Sequence, residues 1–183
     1  MRKYVWIALV ALAACRGETS VEKPVSSVER GKHLTLVSGC NDCHTPWKMG
    51  ENGPHPDFTR ELSGHPADVH LPPPPELPPG PWITSIAATN TAYAGPWGVS
   101  FTANLTPDPE TGIGTWSKQN FIDTIRNGRH LGAGRPLLPP MPAAMYAHYP
   151  DEDLGAIYDY LRTVPPVRHA VEKWPAAAEK PAS

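Results

Sequence analysis

The sequence predicts an all-α fold of short helices with a long Pro-rich insert. Three observations lead there. Apolar residues recur at helical spacing in separate stretches before residue 40 and after residue 117. The 183 residues include 24 Pro and 15 Gly, which argues against long helices and wide central sheets, because Pro lacks a backbone donor and has a fixed φ. The periodicity fails between residues 45 and 116, where prolines cluster. The length suits one domain of about 100–150 residues with tails. Three Cys exclude a disulfide-dense scaffold. A net charge of −2 excludes a strongly basic protein built for nucleic acid.

The elements follow in chain order. Met1-Arg2-Lys3 is a positive n-region, and Val5 to Ala14 is an apolar run of ten residues. That is half of the roughly 20 residues needed to span a bilayer, so it reads as the h-region of a signal peptide. Leu12-Ala13-Ala14-Cys15 resembles a bacterial lipobox. The resemblance implies cleavage before Cys15 and lipidation of its thiol, and two or more acyl chains would anchor the protein stably. The plainer alternative is an ordinary signal peptide, with Cys15 removed or a buried thiol. Residues 16–27 are polar and small, and read as a flexible tether.

Residues 28–39 read as a first helix, with Leu34 and Val37 at i, i+3 and Gly31 allowing close backbone approach. Pro72 to Pro75, Pro78, Pro79 and Pro81 define a polyproline-like stretch, either wrapped over the domain or looped into solvent. Asn104-Leu-Thr-Pro-Asp108 and Thr111-Gly-Ile-Gly114 are turn chemistry, and Trp116 is an aromatic anchor. Asp108 and Glu110 lack the alternating acidic spacing of an EF-hand loop. Ser117 suits the N-cap of a helix over Lys118–Asn127, with a stripe of Phe121, Ile122 and Ile125 and Gly128 at C′. Asp151 suits the cap of a helix over Glu152–Thr163, with Leu154, Ile157, Tyr158 and Leu161 as its stripe and Pro165-Pro166 as its stop. The expected organisation is a signal peptide over residues 1–14, a lipidated tether over 15–27 and a domain over 28–168 whose insert occupies about 50–100. A disordered tail would cover 169–183.

With Cys15 set aside, the two remaining Cys fall in Cys40-Asn41-Asp42-Cys43-His44, the signature of c-type haem attachment. Two thiols at this spacing can add to the two vinyl groups on one edge of the porphyrin, and the following imidazole is placed to ligate the iron. A redox Cys-x-x-Cys would sit near a βαβ pattern, which is not visible here. A structural zinc site needs a second ligand pair. The second axial ligand has three candidates. Met141, in Leu138-Pro139-Pro140-Met141-Pro142, sits in a stretch that cannot be helical and is pre-set by its prolines. Met145 reads first as core filler, and Met145 and His148 remain alternatives. Met49 follows His44 too closely and belongs on the proximal side. His33, His55, His65, His70, His130 and His169 read as surface or satisfied core residues.

A helix before Cys-x-x-Cys-His, a Met on a Pro-rich loop and a final amphipathic helix resemble a class I cytochrome c. Further motifs follow in order: Leu62-Ser-Gly-His-Pro66, Gly95-Pro-Trp-Gly98, Asn104 to Asp108, Thr111 to Trp116, Pro139 to Pro142 and Asp151 to Arg162. Together, over residues 28–168, they resemble the monohaem exported cytochromes related to the cytochrome subunits of quinoprotein alcohol dehydrogenases. The resemblance implies one covalent haem c held by Cys40 and Cys43, with His44 proximal and Met141 distal. It implies that the first and last helices cross near the haem edge, with Gly31 and Tyr158 or Tyr160 at the crossing. It leaves Asn104, Trp116 and Arg126 as candidates for contact with haem propionates.

The expected function is a single-haem electron carrier, not an enzyme, on the periplasmic face of a bacterial membrane. Its partners would be redox proteins, such as a dehydrogenase whose electrons it accepts, a terminal oxidase or another cytochrome. Alternatives are a haem enzyme or gas sensor with an open distal site, and a docking lipoprotein that holds haem as core.

Overall fold

A computed structural model describes residues 24–171. The signal peptide, Cys15 and much of the tether and tail lie outside the described residues. Helix α1 spans Ser27–Val37. Ser26 caps it in a reciprocal box: its side chain accepts from Glu29 N, and the Glu29 carboxylate accepts from Ser26 N. The buried face of α1 is not the Leu34/Val37 stripe but Gly31 and Thr35, while Val37 is exposed. The reason is close approach. A Cβ on Gly31 would stand 1.8 Å from the Ala156 carbonyl oxygen, so α1 packs by its backbone.

Helix α2, Cys40–His44, follows directly, and Gly39 at φ 71 makes the sharp entry. Strands β1 (Trp47–Gly50) and β2 (Gly53–Pro56) form an antiparallel hairpin, Trp47 opposite Pro56. Strands β3 (Ser85–Ile86), β4 (Ala92–Gly95) and β5 (Gly98–Phe101) form an antiparallel sheet in the order β3-β4-β5. These strands differ from the all-helical expectation for a stretch that lacks periodicity; each is four residues or fewer, and all but β3 have Gly or Pro at an end. Residues Leu71 to Pro75 line one side of an apolar groove whose other side is the sheet, at Ile86, Tyr93 and Phe101. This part of the polyproline stretch therefore lies beside the sheet.

Helix α3 is Lys118–Asn127. Ser117 and Asn120 form its capping box, and Gly128 closes it at φ 61 in the left-handed region. Helix α4, Ala143–Tyr146, is a single turn after the Pro-rich loop. Helix α5 is Asp151–Leu161. Its N-cap is Pro150 rather than Asp151, whose carboxylate pairs with Arg126 instead. Phe121, Ile122 and Ile125 of α3 and Leu154, Ile157, Tyr160 and Leu161 of α5 form the core with Leu62, Ile113 and Val164. Arg30 pairs with Asp153 at 2.5 Å, and Lys118 pairs with Asp159 at 2.8 Å, tying α1 and α3 to α5.

The turn motifs between β5 and α3 form a knot of backbone contacts. Asp108 Oδ1 accepts from Glu110 N, Thr111 N and Thr111 Oγ1, as in an Asx turn. A Cβ on Gly112 would stand 2.1 Å from Thr106 O. Asn104 donates to Val167 O at 2.8 Å, which fastens the chain after α5 to this knot.

Candidate functional site

Helix α2 puts Cys40 and Cys43 three residues apart, one turn along the same face. Both are free thiols and partly buried. Burial pushes the Cys40 thiol up to about 12. That is the opposite of the depressed thiol of a redox Cys-x-x-Cys. The turn is locked from behind by Thr45, which is fully buried. Its hydroxyl donates to Asn41 Oδ1 at 2.7 Å and accepts from Leu62 N at 2.9 Å.

His44 Nδ1 lies 2.8 Å from the carbonyl oxygen of Ala103. A carbonyl only accepts, so Nδ1 carries the proton and the Nε2 lone pair is left for another partner. Burial lowers the imidazole pKa from its ordinary value, and the Ala103 bond acts the other way. The His44 carbonyl accepts from Gly64 N at 2.7 Å. Gly64 sits at φ 76, and a Cβ there would come within 2.5 Å of the Thr102–Ala103 backbone. The glycine of Leu62-Ser-Gly-His-Pro66 thus lets three chain segments meet behind the imidazole.

Met141 is partly buried and packs against the core, as do Leu34, Cys40, Leu105, Trp116 and Tyr146. Thiol and thioether therefore lie at the margin of one apolar cluster. Met145 is 69 % exposed, which corrects its reading as core filler. His148 is exposed, and Met49 projects from β1 at 77 % exposure. The loop leading to Met141 is tied by Ser100, whose hydroxyl donates to Pro139 O at 2.6 Å. After Met141, Tyr146 donates to Ser38 O, and Tyr149 OH lies 2.9 Å from Ser38 Oγ. Ser38 is two residues before Cys40, so both sides of the site share this anchor.

Among the other candidates, Asn104 and Arg126 are committed elsewhere. Asn104 bridges Thr106, Thr111 and Val167. The Arg126 guanidinium holds the carbonyls of Ala147 and Tyr149 and the Asp151 carboxylate. Trp116 packs edge-on to His130. His65 is fully buried, between the Thr91 hydroxyl and Val69 O. At the crossing of α1 and α5 the neighbour of Gly31 is Tyr160, while Tyr158 turns away to donate to Trp116 O. The sequence reading missed Ala103, Gly64 and Ser100, which act through backbone or through a small hydroxyl. Only the cluster of Gly-containing motifs pointed to that neighbourhood.

The site gathers two thiols, an imidazole nitrogen and a thioether beside an apolar cluster, which suits a covalently held haem iron. Comparison with known proteins points the same way. No family model matches the chain. It is 42 % identical over 141 residues to a nicotinate dehydrogenase subunit of Pseudomonas putida, covering 77 % of this chain and 9 % of that protein. It is 25 % identical to the fructose dehydrogenase cytochrome subunit of Gluconobacter japonicus, over 86 % of this chain and 26 % of the relative. It is 30 % identical to a dihaem c-type cytochrome of Cereibacter sphaeroides, over 91 % of this chain and 49 % of the relative. The chain is thus similar to a c-type cytochrome and to a cytochrome subunit of a dehydrogenase. It spans half or less of the length of each of these relatives.

Proposed function

We propose that this chain is a single-haem c-type cytochrome that carries electrons and catalyses no bond chemistry of its own. The observation that carries this reading is α2: one short helix presents both thiols and an imidazole whose Nε2 is left for a metal. Cys40 and Cys43 would form the thioethers, and His44 and Met141 would ligate the iron. The haem would supply an iron that takes up and gives back one electron. Ala103 holds the His44 ring in one tautomer and one orientation, as ligand imidazoles require. The apolar residues around Cys40 and Met141 would keep water from the site, and ligation by a thioether and an imidazole would favour a raised potential.

The relatives' membership of dehydrogenase complexes supports a dehydrogenase as electron donor, and a terminal oxidase or another cytochrome suits the role of acceptor. Cys15 would carry the lipid anchor, with the domain exported to the periplasmic face of the membrane. A fold of helices around the haem, with the Pro-rich stretch and its small sheets as an insert, belongs to this reading.

The second reading, an open distal site in a haem enzyme or gas sensor, needs Met141 to be off the iron. Expression with a haem c maturation system and an absorption spectrum of the oxidised protein separates the two. A sulfur-to-iron charge-transfer band is expected, lost in Met141→Ala and kept in Met145→Ala and His148→Ala, with no CO binding by the parent protein. A high-spin spectrum with ready CO binding overturns the carrier reading.

A further inference from the structure

The insert contacts both sides of the site. On the attachment side, Asn90 donates its side-chain amide to Asp42 O at 2.7 Å, and Trp47 N donates to Thr89 O at 2.8 Å. Tyr93 of β4 donates its hydroxyl to Asn90 O at 2.7 Å, and so joins the residue that holds Asp42 O. On the other side, Ser100 of β5 reaches the methionine loop at Pro139 O, 2.6 Å away. Tyr93 and Ser100 are direct cross-strand partners in the β4–β5 ladder. Side chains of such a pair stand on the same face of the sheet. A single rung of a small sheet therefore links the Cys43 side to the Met141 side.

The methionine loop has an unusual need for such a link. Pro136, Pro139, Pro140 and Pro142 have no N–H to donate. The loop offers carbonyl acceptors, so it can be tied mainly by donors from elsewhere. Residues after Met141 are held by Tyr146 and Tyr149 on Ser38 and by Arg126 on Ala147 and Tyr149. Two residues before Met141, Ser100 supplies a side-chain tie. A thioether bond to iron is weak, and a loop free to leave the metal would lose it readily.

We propose that the β3-β4-β5 sheet is a brace between the attachment turn and the methionine loop, and that Ser100 is the positioning residue through which it holds Met141 in place. This rests on the reading of Met141 as distal ligand. The hydroxyl does not touch the metal or the ligand atom; it stabilises the closed loop relative to an open one.

The test uses the full haem-loaded chain and imidazole as a competing ligand for the oxidised iron. Losing one hydrogen bond raises the open-loop population by roughly two- to tenfold. Ser100→Ala should therefore bind imidazole roughly two- to tenfold more tightly and show a weaker sulfur-to-iron band at the same pH and temperature. Ser100→Thr, which keeps the hydroxyl, should behave as the parent. Ser100→Val has the shape of the Thr variant without its donor, so the Thr/Val pair isolates the hydroxyl even where the Ala variant accumulates poorly. Equal imidazole affinity in the Thr and Val variants overturns the brace. A band unchanged in Met141→Ala overturns the ligand assignment itself, and the brace with it. A band lost in Met141→Ala, with Ser100→Ala and Ser100→Val at parental affinity, overturns the brace alone.

Discussion

Gly31 of α1 lies directly on Ala156 of α5, so close that a Cβ at 31 would stand 1.8 Å from the Ala156 carbonyl oxygen and 3.0 Å from Tyr160 Cβ. The obstruction is backbone, which cannot swing aside as a side chain can. Gly31→Ala must push the two helices apart and loosen the core that Leu154, Ile157 and Leu161 form behind them. The expected loss is about 3 kcal/mol, at the upper end of overpacking costs. Thermal or denaturant unfolding measures it. Gly80→Ala is the matched control, since its Cβ meets nothing closer than Pro78 O at 3.8 Å, and should change stability by less than about 0.5 kcal/mol.

Thr45 is the second point where one atom holds several segments. Its hydroxyl satisfies the buried Asn41 amide oxygen and the N–H of Leu62. Leu62 itself is fully buried at φ 58, an uncommon conformation for a residue with a branched side chain. Thr45→Val keeps the shape and leaves that donor and acceptor unsatisfied, at a cost of about 2–3 kcal/mol. Thr45→Ser should retain more of the stability than Val, because it keeps the hydroxyl. A Val variant as stable as the parent would show that water or a local shift replaces these bonds.

Acid should weaken the β1–β2 end of the molecule through Asp57. Its carboxyl is held at about 2, first by the hydrogen bond from Lys48 at 2.9 Å and then by Thr59. A carboxyl whose folded pKa is depressed adds stability above its unfolded value, near 3.9, and that contribution is lost as pH falls through the folded value. The wild type should therefore lose stability between about pH 4 and about pH 2 more steeply than Asp57→Asn. Unfolding midpoints measured across that window decide the point; parallel curves for the two proteins would rule Asp57 out as the source.

The proposed thioethers give a covalent prediction. Cys40→Ser and Cys43→Ser should each retain haem through one linkage. The alkaline pyridine haemochrome band should move to longer wavelength, because one vinyl group stays conjugated. The double variant should lose haem on a denaturing gel. Haem that stays on the double variant after denaturation would place the attachment elsewhere in the chain.

Much of the helical frame was legible in the sequence, because its signals are local. Ser117 as cap, the Phe121-Ile122-Ile125 stripe and Gly128 marked α3 at both ends. Cys40, Cys43 and His44 lie within five residues, so the attachment signature was legible as a local cluster, while the helical turn that carries it was not. The cap of α5 was misplaced by one residue because Asp151 is drawn into an ion pair with Arg126, 25 positions away in sequence. The strands were not legible, since each is four residues or fewer and depends on its partner strand.

The sequence by itself determined the chemistry available: two thiols and an imidazole at fixed spacing, and methionines among prolines. Only the tertiary structure decided which groups gather. It brought the Ala103 carbonyl to His44 across 59 residues of chain and the Ser100 hydroxyl to Pro139 across 39. It also put Met141 against the core and left Met145 in solvent. The physical reason is that main-chain carbonyls are present at every residue and carry no signature in the sequence. Which of them becomes a partner depends on how distant segments approach, and here that approach is set by glycines at 31 and 64 and by a sheet whose pairing no local pattern announces.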